Sequence, residues 1–392
     1  MTDTPSPLPQ PSAAMQRSLA LAAQAVGLSN PNPAVGCVLI APDGQLIGQG
    51  HTQAVGGPHA EVMALRDAAA RGHSVQGATA YVTLEPCAHH GRTPPCCDAL
   101  IAARVGKVVA ALVDPHPQVA GQGLARLRAA GIAVELGDGA AQAAELNLGF
   151  LQRMRTGRPW LRSKIAASLD GLTALPDGQS QWITGPQARS DGQRWRQRAC
   201  VVLTGVGTVL ADDPLLNVRE AAAGLAARQP HLAIVDSRLR TPPGARLWQV
   251  PGRQVWLFAS AETANDAAQR QRQQALQALG ARVILVPDAP RGLDVAQVVQ
   301  HLARMPANEV HVEAGATLNG ALLRAGLIDE CLLYLAPKLL GAGRPMAAGL
   351  RLDALDQAPD WHWLGRAWLG ADLRLRLSRR PLEALIGADE AA

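Results

Sequence analysis

Short apolar runs alternate with helix-length segments along almost the whole chain, and that alternation restricts it to a layered α/β architecture. Residues 13–27 place Met15, Leu19, Leu21, Ala22 and Val26 at helical spacing, which predicts an amphipathic first helix. Asn30-Pro31-Asn32-Pro33 ends it, and the apolar runs at 35–40 and 46–50, joined across Asp43-Gly44, predict a hairpin. A helix from His59 to about residue 70 follows, with Val62, Met63 and Leu65 as its expected apolar face. Strands at 78–84, 107–113 and 132–136, with helices from Cys96 and over 122–130, continue the pattern. Beyond a basic stretch closing on Pro159, apolar runs recur at 201–204, 232–235, 255–259, 283–286, 310–312 and 331–335. At 392 residues the chain exceeds what one core usually supports. Two α/β domains are therefore expected, residues 13–150 and 158–380, with the boundary inside 145–159.

Composition narrows the function classes. The net charge of +5 suits acidic ligands such as phosphates, yet no Lys/Arg run reaches five residues. Aromatic residues are 3% of the chain, which leaves little surface for stacking single-stranded bases, so no nucleic-acid partner is expected. No apolar run reaches eighteen residues, and residues 1–12 lack the charged and apolar regions of a signal peptide. No membrane partner and a cytoplasmic location are the expectations. Six Cys, two of them adjacent, do not resemble a disulfide framework.

The chemistry is concentrated in His59-Ala60-Glu61, Pro86-Cys87 and Pro94-Pro95-Cys96. This is the H-x-E then P-C-x-x-C signature of zinc deaminases, stretched so that eight residues separate the cysteines where the short form has two. A catalytic zinc takes three protein ligands and keeps a position for water, whose pKa it lowers. His59, Cys87 and Cys96 are candidates for the ligands and Glu61 for the proton carrier. His59 and Cys96 both start predicted helices, where the dipole favours negative charge. His89 or His90 as a fourth ligand would instead close the site into a structural one, while Cys97 reads as packing. Two segments of the second half suit phosphate. Gly205-Val206-Gly207-Thr208 follows a strand but lacks the third glycine of the dinucleotide fingerprint, because residue 210 is Leu. Residues 313–321 follow a strand and open a helix, so their N–H groups can hold a phosphate; a plain strand–turn–helix connection is the alternative.

Pro31-Asn32-Pro33, His59-Ala60-Glu61, Thr83-Leu84-Glu85-Pro86-Cys87, the segment from His89 to Cys96, and Asp114-Pro115 together resemble the bifunctional riboflavin-biosynthesis deaminase–reductase family. The long loop between the cysteines is the form that family carries. In the second half the resemblance rests on Lys164, Ser168-Leu169-Asp170-Gly171, Ser180-Gln181-Trp182-Ile183-Thr184, Asp212-Asp213-Pro214, Asp236-Ser237 and the segment from Ala336 to Gly341. It implies an N-terminal cytidine-deaminase-like three-layer α/β/α domain and a C-terminal dihydrofolate-reductase-like α/β domain.

It also implies a zinc ion on His59, Cys87 and Cys96, Glu61 as the catalytic proton carrier, and substrate contacts from Asn32 and Arg92, the latter near a 5′-phosphate. The family often has a His where this chain has Thr52, which leaves open whether His51 takes that contact. For the second domain it implies NADPH, lined by Ala166, Trp182, Thr208, Asp212, Ser237, Gly315, Ala316, Thr317, Leu318, Asn319, Gly320 and Ala321. Lys164, Ser180, Arg196, Leu216, Arg219 and Glu313 would meet the substrate. The expected partner is a small phosphorylated ribosylaminopyrimidine, deaminated and then reduced at its sugar, and a homo-oligomer is expected. Arg196 and Arg219 suit a phosphate, the indole of Trp182 suits stacking, and Asp212 could move a proton or hold cofactor. A nucleic-acid-editing deaminase and a structural zinc module fused to a nucleotide-binding regulatory domain remain as rivals.

Overall fold

Ser12 starts the first helix: its hydroxyl accepts the Met15 N–H at 3.3 Å. This computed structural model describes residues 10–90, 94–219 and 228–386. Their contacts form two units, one through Gly157 to which the segment from Leu382 returns, the other Arg158–Pro381.

In the first unit α1 (Ala13–Ala25) precedes the hairpin of β1 (Gly36–Ile40) and β2 (Leu46–His51). Then come α2 (Ala60–Ala70), β3 (Thr79–Val82), α3 (Cys96–Ala102), β4 (Lys107–Ala110), α4 (Gln122–Ala129), β5 (Ala133–Leu136) and α5 (Ala140–Thr156). The sheet order is β2-β1-β3-β4-β5, antiparallel around β1 and parallel from β3 onward. α2 buries Ala60, Glu61, Ala64 and Ala68, whereas Val62, Met63 and Leu65, expected as its core face, are only half-buried. The cause is close approach to β2. A Cβ on Gly50 would lie 2.7 Å from the Ala64 nitrogen, so small residues win the interface. α5 runs through the segment read as a boundary and ends at Gly157, whose left-handed φ of +68° closes the helix.

The second unit contains β6 (Trp160–Ser168), β7 (Leu172–Ala174), α6 (Pro186–Arg198), β8 (Val201–Gly205), α7 (Val206–Asp212), β9 (His231–Val235) and β10 (Val255–Ser260). It continues with α8 (Ala267–Ala278), β11 (Arg282–Val286), the small hairpin of β12 (Asp288–Ala289) and β13 (Gly292–Leu293), α9 (Val295–Ala303), β14 (Glu309–Val312) and α10 (Ala316–Arg324). It closes with β15 (Glu330–Ala336), β16 (Arg344–Pro345), β17 (His362–Leu369) and β18 (Asp372–Ser378); α11 (Leu382–Ile386) then packs on α5 in the first unit.

Nine strands form one sheet in the order β11-β10-β9-β8-β14-β6-β15-β18-β17, parallel except where β18 meets β15 and β17. The chain steps outward from β8 to β11 and returns to insert β14 between β8 and β6. That reversal opens a crevice at the carboxyl ends of β8 and β14.

β6 escaped the apolar pattern because Arg162 and Lys164 on one of its faces are charged. Arg162 is fully buried and bonds Glu309 at 2.7 Å and Glu330 at 2.8 Å. Arg376 reaches Glu330, Arg198 reaches Glu309, and the Trp195 ring lies 4.5 Å from the Arg162 guanidinium. Among the described residues no helix is long and apolar enough to cross a membrane.

Candidate active sites

Three elements bring the metal candidates together. His59 is the N-cap residue of α2, Cys87 lies in the loop after β3, and Cys96 is the first residue of α3. His59 Nδ1 lies 3.7 Å from Cys87 Sγ and 3.3 Å from Cys96 Sγ, with all three ligand atoms within 4.8 Å of one another. Bond lengths of about 2.0 Å to nitrogen and 2.3 Å to sulfur separate the ligands of a tetrahedral zinc by about 3.5–3.8 Å, so these atoms fit one ion. Hydrogen bonds from Cys96 and His59 hold the Cys87 thiol below its ordinary range, against the effect of burial. Neither His89 nor His90 joins the group among the described residues: His89 stacks on His116 at 5.6 Å and His90 is exposed. Cys97 is buried in the core. Glu61 is buried beside the centre, and burial followed by the charge of Cys87 pushes its carboxyl up to about 7. Such a group exchanges protons near neutral pH.

The shell around this centre was only partly legible. Glu85 is buried, and its carboxylate accepts four backbone N–H groups: Asp114 at 3.1 Å, Gly121 at 2.9 Å, Gly123 at 2.8 Å and Leu124 at 3.2 Å. It thereby pins the loop carrying Cys87 to the start of α4, where a Cβ on Gly123 would collide with the Pro86 carbonyl. Asp114 follows β4, accepts the His116 N–H at 2.8 Å, and is pushed up to about 7 by burial, with Glu85 and Cys87 adding to the effect. Its pairing with Pro115 was the only sequence signal. Asn32 sits in the turn before β1, and its neighbour Ala34 is gripped on both backbone groups by Asn147, at 2.8 and 2.9 Å, from a kink in α5. Thr52 is buried and its hydroxyl accepts the Val35 N–H, so it braces β1; His51 ends β2. Arg92 lies outside the described residues.

In the second unit a cavity of about 1140 Å³ opens at the crevice beside β8 and β14. Ala166, Trp182, Thr208, Asp212 and Ser237 line it, as do Gly315, Ala316, Thr317, Leu318 and Ala321. Lys164, Ser180, Arg196, Leu216, Arg219 and Glu313 line it too. Asn319 and Gly320 do not. Asn319 is buried, accepting the Ser163 hydroxyl at 3.1 Å and donating to Ala314 O at 3.0 Å; a Cβ on Gly320 would collide with the Ala348 carbonyl. Those two residues shape the turn behind the cavity wall.

Arg196 grips Glu313 through two bonds of 2.6 and 2.7 Å and donates to Asn217 O at 2.6 Å. Burial opposes the charge on Glu313, yet Arg196 holds its carboxyl well below the usual range. Arg196 is therefore already neutralised, while Arg219 is exposed with no ion pair among the described residues. Leu216 adopts a φ of +48°, rare for a branched side chain, and Arg253 donates to its carbonyl at 2.9 Å. Such strain, worth about 1–3 kcal/mol, persists only where the surroundings enforce it. The Arg189 guanidinium lies 4.6 Å over the ring of Trp182, which is 61% exposed. The uncapped start of α10 at Gly315 and this ring together fit a nucleotide cofactor.

Residues 159–365 match the RibD C-terminal domain family, and residues 9–112 match the cytidine and deoxycytidylate deaminase zinc-binding region. The riboflavin biosynthesis protein RibD of Escherichia coli (strain K12) is 46% identical over 373 residues, covering 93% of this chain and 98% of its own length. That of Haemophilus influenzae is 42% identical, covering 92% of this chain and 95% of its own. Among solved structures, Acinetobacter baumannii RibD superposes with a TM-score of 0.81 at 42% identity, covering 93% of this chain and 97% of that one. A Thermotoga maritima protein described as a diaminohydroxyphosphoribosylaminopyrimidine deaminase and 5-amino-6-(5-phosphoribosylamino)uracil reductase gives 0.80 at 30% identity, with the same coverage.

Two outcomes follow from this geometry. Glu85→Ala strands four N–H groups, three of them buried, so zinc affinity in a chelator competition is expected to fall by about 10–100-fold. Unchanged affinity would dismiss Glu85 as a support of the centre. His311 is buried with its Nε2 3.6 Å from Glu313, and burial pushes its ring down to about 3. Its folded pKa lies below the unfolded one, so the unfolded chain binds the extra proton and stability is lost as pH falls from about 6.5 toward 3. Urea titrations between pH 6.5 and 5 should show His311→Gln with a shallower loss than the parent, by up to about 1.4 kcal/mol per pH unit.

Proposed function

The chain belongs to the RibD family, and from that membership we propose how its own residues share the two reactions. The enzyme is a zinc-dependent deaminase and NADPH-dependent reductase of riboflavin biosynthesis. It deaminates 2,5-diamino-6-(5-phosphoribosylamino)pyrimidin-4(3H)-one and then reduces 5-amino-6-(5-phosphoribosylamino)uracil to the ribitylamino product. Residues 13–150 carry the deaminase and 158–380 the reductase.

The observation that carries the deaminase reading is the convergence of His59, Cys87 and Cys96 beside a buried Glu61. Those three side chains would hold zinc, which supplies Lewis acidity and an activated water when bound. Glu61 takes a proton from the attacking water and delivers it to the departing 2-amino nitrogen, its buried carboxyl lying beside the three ligands. Asn32 and Arg92 hold the substrate, Arg92 at its phosphate.

In the reductase, NADPH supplies hydride to the sugar C1′ when bound. The protein contributes orientation. Thr208, Asp212, Ser237 and the residues from Gly315 to Leu318, with Ala321, face the cofactor together with Ala166 and Trp182. Lys164, Ser180, Leu216 and the Arg196–Glu313 pair face the sugar, and Arg219, with no ion pair among the described residues, takes its phosphate. The reading sets the enzyme in the cytoplasm, where its six free cysteines stay reduced.

Copies of the chain pair through β17. Among the described residues it is one of the two edge strands of the large sheet, and Trp363 and Trp368 on it are 64% and 73% exposed. Trp368→Lys should convert a dimer to a monomer by light scattering; a parent protein that is monomeric at micromolar concentration would sink the pairing.

The decisive assay concerns Glu61. Glu61→Gln should keep its zinc stoichiometry yet release ammonia about 10²–10⁴-fold more slowly. It should oxidise NADPH normally when given the deaminated intermediate. Unchanged ammonia release would overturn the assignment.

A further inference from the structure

The second-unit cavity has to accept more phosphate than the places assigned so far can hold. The substrate brings one monoester, and the cofactor brings a pyrophosphate and a separate 2′-phosphate. The pyrophosphate suits the start of the nine-residue helix α10, where Gly315 leaves backbone N–H groups without a side-chain cap. The 2′-phosphate is a compact dianion, and selecting it needs side-chain charge.

Two arginines on the cavity wall are already committed. Arg196 is paired with Glu313, and Arg189 covers Trp182 while donating to Thr184 O at 2.8 Å. Arg291 lies against Gly349 beside Arg324. Arg240 and Arg246, like Arg291 and Arg344, line the cavity, are exposed and have no ion pair among the described residues; what sets the first two apart is their place in the chain, next to Ser237 and bonded to Asp213.

Their backbones, in contrast, are fixed. Asp236 is fully buried and accepts both the N–H and the hydroxyl of Thr241, at 2.7 and 2.8 Å. That clamp closes a turn in which Leu239 is left-handed at φ +52° and which presents Ser237 and Arg240 to the cavity. Five residues later the Arg246 N–H donates to Asp213 at 2.8 Å, next to Asp212 at the end of α7. Two free guanidiniums thus stand on rigid supports at the end of the cavity marked by Ser237 and Asp212.

We propose that Arg240 and Arg246 form the subsite for the 2′-phosphate of NADPH and thereby set the enzyme's preference for NADPH over NADH. The inference rests on the assignment of Ser237 and Asp212 to the cofactor side. Bidentate bonds to the phosphate oxygens would be lost with NADH, which carries a hydroxyl there.

The test is direct binding by calorimetry on the full-length, zinc-loaded chain, using NADPH, NADH and adenosine 2′,5′-bisphosphate. The R240Q/R246Q chain is expected to bind NADPH and the bisphosphate at least about tenfold more weakly, with its NADH affinity unchanged. R291Q is expected to keep the parent's ratio of NADPH to NADH affinity. If the double variant keeps that ratio, or loses NADH binding in step, the subsite is overturned. The same holds if R291Q alone abolishes the preference. A parent chain that binds neither nucleotide overturns the cofactor assignment itself, and this inference with it.

Discussion

Parallel strands deliver their carboxyl ends to one edge of a sheet, and both sites depend on that constraint. In the first unit β3 and β4 run parallel, so the loops after them bring Cys87 and Asp114 to the same edge. In the second, β8, β9, β14 and β6 run parallel, and the segments beyond three of them carry Thr208, Ser237 and Glu313. The sequence distance between these residues is large, but the sheet makes them neighbours. Loops vary in such folds while the edge stays put.

What holds each edge is polar rather than apolar. Glu85 stitches a ligand loop to α4 through four N–H groups, and Arg162 with Glu309 and Glu330 joins β6, β14 and β15 beneath the cavity. A buried pair of this kind gains little net stability over an apolar core, but removing one partner is costly, on the order of 3–5 kcal/mol. The lattice therefore acts as a register lock: a one-residue slip of β6 would turn Arg162 to the opposite face.

Legibility in the sequence followed this same division. Elements built on apolar periodicity, such as α1, β1 and β14, could be read from spacing alone. β6 could not, because Arg162 and Lys164 interrupt its pattern with charges satisfied only by distant residues. The buried face of α2 was misread for a related reason: alanine against glycine packs more closely than valine or leucine allows. Metal candidates were legible because zinc chemistry demands fixed residue types. Glu85, Asn147 and Arg253 were not, since an acid, an amide or a guanidinium bonding backbone groups leaves no spacing signature. Asn319 and Gly320 sit inside the candidate phosphate segment without lining the cavity, the one bonded to Ser163 and the other close against Ala348.

α11 gives the order of synthesis a physical meaning. Most residues of the first unit leave the ribosome before the second, yet the face of α5 that Leu382 and Ile386 cover stays open until residues 382–386 are made. Arg155 likewise waits for the Ile386 carbonyl, to which it donates at 2.8 Å. The unit begun first is thus completed last, and the nascent chain has to carry an unfinished apolar surface throughout translation of the second unit.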